Sequence, residues 1–411
     1  MKIVTISLSH FSRIVQSSLL TGVFVLTSQV FAAGPTVSNV TAQQRPNTKL
    51  VDITYDLEHD EDLASTVTIE ATADGENWTL LTNLTSSSAH GFGVVEGTGK
   101  SVVWAAEDEW PAQLFPAVKV RVRANDGTGG GVDPANFSLV PGGVFAMGSP
   151  NGEVGRDAVS EVLHDVTLNK SFYMAKTEVT WSDWSAVRAF ATANGYSDIG
   201  VGANGSMDAP EGDHPVSNVS WWDAVKYCNA RSEQEGKTPV YYTEESLGAG
   251  NVLRTGTAAA FADLNANGYR LPTDAEWEYA CRAGTETGFY TGEVTQSNAA
   301  DPNLDSAGWY AENSGDNTHA AAGKAANAWG LYDTHGNVWE WCWDWYSQDL
   351  SVGELVDPTG AAEPNGNQQR VIRGGGYLDP AENCRSARRF RFRNTSKDVT
   401  LGFRVAVTSV Q

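Results

Sequence analysis

The segment DTHGNVWEWCWDW, residues 333–345, places tryptophans at every second position from Trp339 to Trp345. On an extended strand these indoles all point to one face, because successive side chains alternate between the two faces. We interpret the rings as a hydrophobic wall of a core rather than as a platform for a ligand.

The turn before this strand carries hard oxygen ligands. Asp333 and Glu340 supply carboxylates, and a turn at Gly336 can aim backbone carbonyls inward. Calcium prefers oxygen atoms of these kinds. On spacing alone, the segment is only a weak indication of a calcium site.

Three helix starts elsewhere in the second half of the chain share one signal. Each places a hydroxyl residue three positions before an acidic one, in the pairs Thr180/Asp183, Ser220/Asp223 and Thr273/Glu276. The hydroxyl accepts from a free amide, and the acid meets the positive end of the helix. The surrounding sequence indicates short strands and long loops, so a helical bundle and a doubly wound parallel sheet are disfavoured. The predicted class is α+β, poor in regular secondary structure.

The first half of the chain has a different pattern. Residues 35–126 alternate apolar and polar side chains, as at Val51, Ile53 and Tyr55. This alternation is typical of half-buried antiparallel strands, and it predicts an all-β sandwich of immunoglobulin or fibronectin type III style. Residues 127–135 include the run GTGGG and predict a linker, which leaves residues 136–411 as a second domain.

The first 32 residues predict a secretory signal peptide. Lys2 and Arg13 accompany an apolar stretch, and no acidic residue occurs before Ala32. A membrane anchor is the alternative, but the Ser, Thr and Gln residues in the stretch are unfavourable in hydrocarbon. No comparable apolar run follows, so we expect no membrane span and a secreted or periplasmic protein.

The charge balance limits the class of partner. The 411 residues include 28 Lys and Arg against 50 Asp and Glu, for a formal net charge of -22. Binding to phosphates needs an excess of cations, so we expect no nucleic-acid partner. The C-terminal segment is nevertheless rich in arginine, at Arg373, Arg385, Arg388, Arg389, Arg391, Arg393 and Arg404. We expect these arginines to pair with carboxylates of the same chain rather than to bind an anionic ligand.

Common catalytic motifs are missing from the sequence. The histidines form no HExxH or HxH arrangement, which gives little support to a zinc hydrolase. There is no GxSxG or GxxxxGK[ST] stretch, and no GxGxxG follows a predicted strand. The usual evidence for hydrolases, kinases and dehydrogenases is therefore absent.

Seven motifs occur in the order of one known family. They are FAMGS (145–149), YMAKTEVT (173–180), PVSNVSW (215–221), RLPT with EWEY (270–279), GNVWEW (336–341), RGG (373–375) and LGFR (401–404). Together they resemble the formylglycine-generating enzymes, also called sulfatase-modifying factors, over residues 137 to about 408. The resemblance implies that family's variant of the C-type lectin-like fold, stabilised by calcium.

Active members of that family oxidise a sulfatase cysteine to formylglycine, using oxygen and a copper(I) ion held by two thiolates. Aligned without gaps, Asp379 takes the first copper position, Cys384 the second, and Gly376 replaces a serine. Trp339 is a further position of that active site. A carboxylate does not replace a thiolate as a ligand of copper(I). The resemblance therefore implies that copper is not bound and that the known oxidation fails.

A second alignment shortens the loop before Cys384, and we prefer it. It matches Cys384 to a structural cysteine whose partner in the family lies at the position of Cys281, which implies a Cys281–Cys384 disulfide. Cys228 matches another structural cysteine, but Val405 occupies its usual partner position. A bond between Cys228 and Cys342 is an open alternative.

The resemblance also implies two calcium sites. The better-matched site has ligands at Asp333, Gly336, Val338 and Glu340. The other is less complete, with candidate positions at Asn313, Ser314 and Asp316. Carbonyl oxygens would serve at Gly336 and Val338, and side-chain oxygens at Asp333 and Glu340.

Two classes of function compete on this evidence. The first is an exported, calcium-stabilised module without the copper cysteine pair, whose groove binds a peptide or a glycan. The second is an oxidase that converts a sulfatase cysteine to formylglycine. The lost cysteine pair and the added sandwich favour the binding module.

Overall fold

The computed structural model describes residues 36–45, 48–58, 65–72, 79–81, 84–85, 89, 91–106, 119–125, 133, 135–206, 213–348, 355–362 and 364–409. The predicted signal segment lies outside them, as does most of the predicted linker at 127–135. In the described residues, no helix has the length and apolar character needed to cross a membrane.

The described part of residues 36–125 consists mainly of β-strands. They are β1 (Thr36–Gln44), β2 (Leu50–Glu58), β3 (Ser65–Thr72), β4 (Thr79–Leu80), β5 (Leu84–Thr85), β6 (Gly91–Val94), β7 (Gly97–Ala105) and β8 (Lys119–Asn125). One antiparallel sheet has the order β1-β2-β7-β5, while β3 pairs with β4, β6 and β8 in a second.

A single core cluster contains side chains from both of these sheets. Ile53 and Val102 belong to the first sheet, Val67 and Ile69 to the second, and all four side chains are buried. The period-two pattern explains the arrangement, because every second side chain of β2 from Ile53 to Leu57 is buried. The immunoglobulin or fibronectin type III identity of this region stays a prediction.

The second domain combines short strands with few helices. Its strands are β9 (Phe137–Val140), β10 (Gly143–Met147), β11 (His164–Leu168), β12 (Phe172–Ala175), β13 (Ala203–Asn204), β14 (Val216–Ser217), β15 (Tyr241–Tyr242), β16 (Phe261–Ala262), β17 (Tyr269–Arg270), β18 (Trp339–Trp345), β19 (Leu355–Val356), β20 (Gln369–Arg373), β21 (Arg389–Arg393), β22 (Leu401–Gly402) and β23 (Ala406–Thr408). Its helices are α1 (Trp181–Ala193), α2 (Trp221–Gln234), α3 (Asp274–Arg282) and the single turn α4 (Pro302–Asp305), with 3-10 turns at Ala249–Asn251 and Ala381–Cys384. Long loops connect these elements, as the predicted α+β class requires.

Three sheets organise this domain. Their strand orders are β17-β23-β12-β9, β10-β11-β19 and β21-β20-β18-β22. The third sheet carries the tryptophan segment on β18, next to β20. The chain leaves β20 through the loop that contains the predicted copper positions and returns along β21.

The three predicted helix starts are confirmed. The Thr180 hydroxyl accepts from the Asp183 amide at the start of α1. At Ser220 and Thr273 the acid three residues later also accepts from the amide of the capping residue, which completes a capping box. These caps satisfy amide donors that a helix leaves free at its N-terminus.

The predicted tryptophan wall forms on β18. Trp339 and Trp341 lie in one core cluster, Trp343 packs against it, and Cys342 lies in a different cluster on the other face. The Trp341 indole donates to the Val219 carbonyl at 3.0 Å. Most of the wall is therefore core, as the alternation predicts.

Arg370 on β20 is enclosed at the outer end of this wall. Its guanidinium carbon lies 3.8 Å from the ring centroid of Trp221 and 3.3 Å from that of Trp345. The guanidinium also donates to the Trp343 carbonyl. Burial lowers the pKa of Arg370 to about 9, and the cation–π contacts offset part of this desolvation. The arrangement orders three indoles around one cation.

Candidate functional site

The loop after β20 brings the predicted copper positions close to the tryptophan wall. Gly374 and Gly375 both have positive φ values, of 96° and 75°. A Cβ atom on Gly375 would lie 2.6 Å from the Cys384 sulfur. Glycine is therefore required there, both for the left-handed backbone and for the close approach of this cysteine.

Asp379 is held by three hydrogen-bond donors. Its Oδ2 accepts from the Trp339 indole at 2.7 Å and from the Gly376 amide at 3.0 Å. Its Oδ1 accepts from the Asn383 side-chain amide at 2.9 Å. Burial raises the pKa of Asp379 despite these donors, because no cation lies in hydrogen-bond contact with it among the described residues. Three predicted site positions, Trp339, Gly376 and Asp379, thus form one hydrogen-bonded unit.

An open groove of about 440 Å³ lies over this unit. Its lining is mainly aromatic and aliphatic, and consists of Trp339, Leu378, Asp379, Asn383, Phe390, Phe392, Asp398, Val399 and Thr400. We call it the aromatic groove. Leu378 is 48% exposed and Phe390 38% exposed, so apolar side chains are presented to solvent. Exposed apolar residues that line a concave surface are typical of a binding site.

Cys384 does not complete a copper site. Its side chain is fully buried in a cluster with Phe289 and Ala381. Burial raises the pKa of its thiol, which disfavours the thiolate that copper(I) requires. With a carboxylate at Asp379 and a buried thiol at Cys384, the residues present do not fit the family's copper ion.

The implied disulfides are not formed in the structure, which differs here from the sequence prediction. All four cysteines are free and buried. The Cys281 sulfur lies 3.6 Å from the Ser386 hydroxyl and 3.7 Å from the Thr334 carbonyl, while Cys384 lies in another cluster. Cys228 and Cys342 also belong to different clusters. The four thiols therefore pack separately in the core.

The implied calcium ligands are only partly available. Glu340 is fully buried and accepts two hydrogen bonds from Arg404, at 2.6 and 2.7 Å, and one from the Trp277 indole at 2.7 Å. Asp333 accepts from the Ala322 amide at 2.6 Å through Oδ2, whereas its buried Oδ1 has no hydrogen-bond partner. Asp333 therefore offers an oxygen to a cation, and Glu340 is already neutralised.

Glu178 is a buried carboxylate that the sequence reasoning missed. Both of its oxygens lack a hydrogen-bond partner, and burial raises its pKa, with the neighbouring charge of Asp333 adding to the rise. Burial likewise raises the pKa of Asp333 to about 6. Glu178 lies inside the quoted motif YMAKTEVT, but nothing in the motif indicates that its carboxylate lacks a partner.

The second set of implied calcium positions lies in a folded turn. The Asn313 side chain accepts from the Tyr310 amide at 2.9 Å and donates to the Gly308 carbonyl at 3.0 Å. The Ser314 hydroxyl donates to the Tyr377 carbonyl at 2.8 Å and accepts from the Asp316 amide at 3.2 Å. These groups stabilise the turn itself. Within the described ranges, no group of three or more His, Cys, Asp or Glu side chains is placed to hold a metal ion.

Solved structures share the fold of the second domain. The chain is 29% identical to Treponema denticola variable protein 1, with a TM-score of 0.54, over 66% of this chain and 94% of that one. It is 28% identical to CarF, with a TM-score of 0.50, over 66% of this chain and 98% of that one. The second domain thus has the fold of the formylglycine-generating enzymes.

The family follows from the sequence match. Residues 130–409 match the sulfatase-modifying factor enzyme 1-like domain, and the chain belongs to that family. It is 31% identical over 291 residues to the chaperone protein LppX of Paenibacillus barcinonensis, covering 66% of this chain and 88% of that protein. It is 32% identical over 285 residues to the formylglycine-generating enzyme of Streptomyces coelicolor, covering 65% and 87%. The mouse enzyme is 29% identical, covering 65% and 73%.

Proposed function

We propose that this protein is exported, that its second domain is a peptide-binding module, and that the aromatic groove is the binding site. The observation that carries the proposal is Asp379. A carboxylate fixed by Trp339, Gly376 and Asn383 stands at the position where the family resemblance implies a copper thiolate. This unit forms a rigid floor under an open apolar surface, which suits binding better than oxidation.

The chemistry of the lining favours a peptide over a glycan. Leu378, Phe390 and Phe392 supply apolar surface, and such surface binds aliphatic and aromatic side chains by excluding water. The hydrogen-bonding side chains of the lining already bond to one another, Asn383 to Asp379 and Thr400 to Asp398, whereas sugars need many free partners. The similarity to a protein named as a chaperone is consistent with contact to polypeptides.

Calcium is part of the proposal as a stabilising ion. Its support is the unpartnered Oδ1 of Asp333, a buried hard oxygen of the kind calcium prefers. The carbonyls of Gly336 and Val338 would complete its coordination in the way the family resemblance implies. The ion would neutralise a buried carboxylate and would take no part in peptide binding.

A peptide-display selection on the full chain tests the binding site. Peptides enriched on the wild-type protein should bind the Phe390→Ala variant at least about tenfold more weakly, because this ring is exposed in the groove. Val144→Ala is the matched control, since Val144 is 63% exposed on β10, outside the groove lining. The proposal is contradicted if the enriched peptides bind the Phe390→Ala variant as tightly as the wild type. It is also contradicted if Val144→Ala weakens their binding as much as Phe390→Ala does.

The oxidase alternative has its own test. We expect no loss of mass from a Cys-x-Pro-x-Arg peptide incubated with the reduced, copper-supplied protein, because the thiol of Cys384 is buried and Asp379 cannot replace its partner. Conversion of the thiol to an aldehyde, detected by mass spectrometry, would replace the binding proposal with a catalytic one.

A further inference from the structure

Strand β21 (Arg389–Arg393) lies at the edge of its sheet. It pairs with β20 in register from Gln369↔Arg393 to Arg373↔Arg389, and the part of the chain that the structure describes places no strand on its other side. In an antiparallel strand, alternate residues direct their amide and carbonyl groups away from the partner. The outer side of β21 therefore presents backbone donors and acceptors that an added strand can pair with.

The two faces of β21 line two different clefts. Phe390 and Phe392 line the aromatic groove of about 440 Å³. Arg391, between them in sequence, lines a second cleft of about 410 Å³ whose other residues are Tyr346, Ser347, Gln348, Ala361, Asn365, Asn367 and Gln369. We call it the polar cleft. One edge strand thus separates an apolar site from a polar one.

The arginines of β21 differ in their partners. Arg389 is paired with Asp274 at 2.7 Å and is buried. Arg391 and Arg393 have no carboxylate partner within the described ranges, and Arg391 is held over the Tyr346 ring at 4.5 Å from its centroid. Two cations on one side of an edge strand, without a carboxylate partner among the described residues of a chain of net charge -22, are available to carboxylates of another molecule.

We propose that an extended peptide with alternating apolar and acidic side chains adds to β21 as a further strand. Its backbone pairs with the free edge of β21, its apolar side chains enter the aromatic groove, and its carboxylates face Arg391 and Arg393. This inference rests on the proposed function, because it specifies how the groove binds a peptide. Strand addition of this kind draws affinity from main-chain hydrogen bonds and specificity from alternate side chains.

The same charges disfavour a second copy of the chain as the occupant. Two β21 strands paired antiparallel about Arg391 would place that arginine opposite its own copy, and Arg389 opposite Arg393. Like charges directly opposite each other destabilise strand pairing. An acidic partner strand has the complementary charge at the same positions.

Direct binding of synthetic peptides to the full chain tests the mode. The probes are a fluorescein-labelled heptapeptide of alternating Val and Glu, its analogue with Lys for Glu, and its analogue with Gln for Glu. Fluorescence anisotropy should show the Glu peptide binding at least about tenfold more tightly than the Lys peptide, since opposite charges attract and like charges repel. Equal affinity for the Glu and Lys peptides overturns the inference.

Two further changes separate backbone pairing from simple groove binding. N-methylation of alternate peptide amides should weaken binding at least about tenfold in one of the two alternations and leave the other unchanged, because only one set of amides faces β21. Arg391→Gln should weaken the Glu peptide several-fold without affecting the Gln analogue, and Arg391→Lys should restore part of the loss. Lys100→Gln in the first domain is the control for net charge and should have no effect.

The outcomes distinguish this inference from the proposed function. If the Glu peptide binds with dependence on Phe390 but tolerates both N-methylated series, strand addition is wrong and the peptide-binding proposal stands. If no peptide binds with dependence on Phe390, both fail. A dimer in sedimentation equilibrium that dissociates when Arg391 is changed would identify a second copy as the occupant and overturn the inference.

Discussion

Two carboxylates of the second domain are held in opposite ways. Glu340 on β18 accepts two hydrogen bonds from the Arg404 guanidinium, so its negative charge is balanced by a positive charge in the core. Asp379, bonded to the neighbouring Trp339, is held only by neutral donors. The Glu340 carboxylate in the core is thus fixed by an ion pair, whereas the Asp379 carboxylate in the floor of the groove is fixed by neutral hydrogen-bond donors.

The largest loss of stability is expected for Glu340, the carboxylate that pairs with a charged side chain. Glu340→Gln removes the carboxylate charge that pairs directly with the buried Arg404 and should lower the free energy of unfolding by about 3–5 kcal/mol. Urea unfolding of the second domain measures it. Lys397→Gln is the control, because Lys397 is 42% exposed and pairs with Asp223 at 2.9 Å, so its loss should cost less than about 1 kcal/mol. Similar losses of stability in Glu340→Gln and Lys397→Gln would contradict the expected difference between the buried and the exposed ion pair.

A smaller loss is expected at the groove. Asp379→Ala leaves the Trp339 indole and the Asn383 amide without their acceptor and should cost about 1–3 kcal/mol in the same assay. Asp379→Asn retains an acceptor oxygen and should cost less than half as much. If Asp379→Ala is as stable as the wild type, the carboxylate does not organise the floor of the groove.

Asp344, a third carboxylate of this domain, is buried. It accepts fewer hydrogen bonds among the described residues than Glu340 or Asp379 does. Among the described residues it accepts one hydrogen bond, from the Asp274 amide at 2.8 Å, and burial raises its pKa to about 8. A raised carboxyl pKa means that the folded protein retains a proton that the unfolded chain releases above about pH 4. The stabilising contribution is thus complete below about pH 4 and is lost as the pH rises toward 8.

Asp344→Asn should remove this dependence, since an amide keeps the acceptor and cannot ionise. We expect the variant to be more stable than the wild type at pH 8 by on the order of 1–2 kcal/mol, and to be close to it at pH 4. Denaturant unfolding at the two pH values measures the difference. A wild-type advantage that grows as the pH rises would show the opposite sign of linkage.

The smallest expected effect concerns calcium. EDTA should lower the melting temperature of the wild type by a few degrees, and added calcium should restore it, because an ion bound only by the folded state stabilises it. Asp333→Asn, which removes the unpartnered carboxylate, should respond to neither. A wild-type melting temperature that changes with neither EDTA nor added calcium would count against calcium at this site.

Local features of the second domain were predictable from sequence. The helix caps at Thr180, Ser220 and Thr273 involve residues three positions apart, so short-range geometry decides them. The alternation in residues 339–345 likewise predicted which side of β18 carries the indoles. The expected internal pairing of arginines is confirmed for Arg373, Arg385, Arg389 and Arg404.

Features that depend on distant segments were not predictable. The partner of Glu340 is Arg404, 64 positions away, so the motif GNVWEW alone did not show that this carboxylate is already neutralised. The RFRFR alternation of β21 was visible, but its position at a sheet edge follows from strand order. The disulfide between Cys281 and Cys384 that the resemblance implies is not formed in the structure, where the two sulfurs pack in separate clusters, and it stays a prediction.

The ring of indoles around Arg370 gives the second domain an optical signature. Eleven of the 14 tryptophans lie between Trp181 and Trp345, and three of them surround this one guanidinium. When the sheet opens, these rings leave a dry, cationic environment for water together. The fluorescence of the intact protein is therefore dominated by this half of the chain, and its emission maximum follows the loss of the tryptophan-lined core rather than the melting of the N-terminal strands.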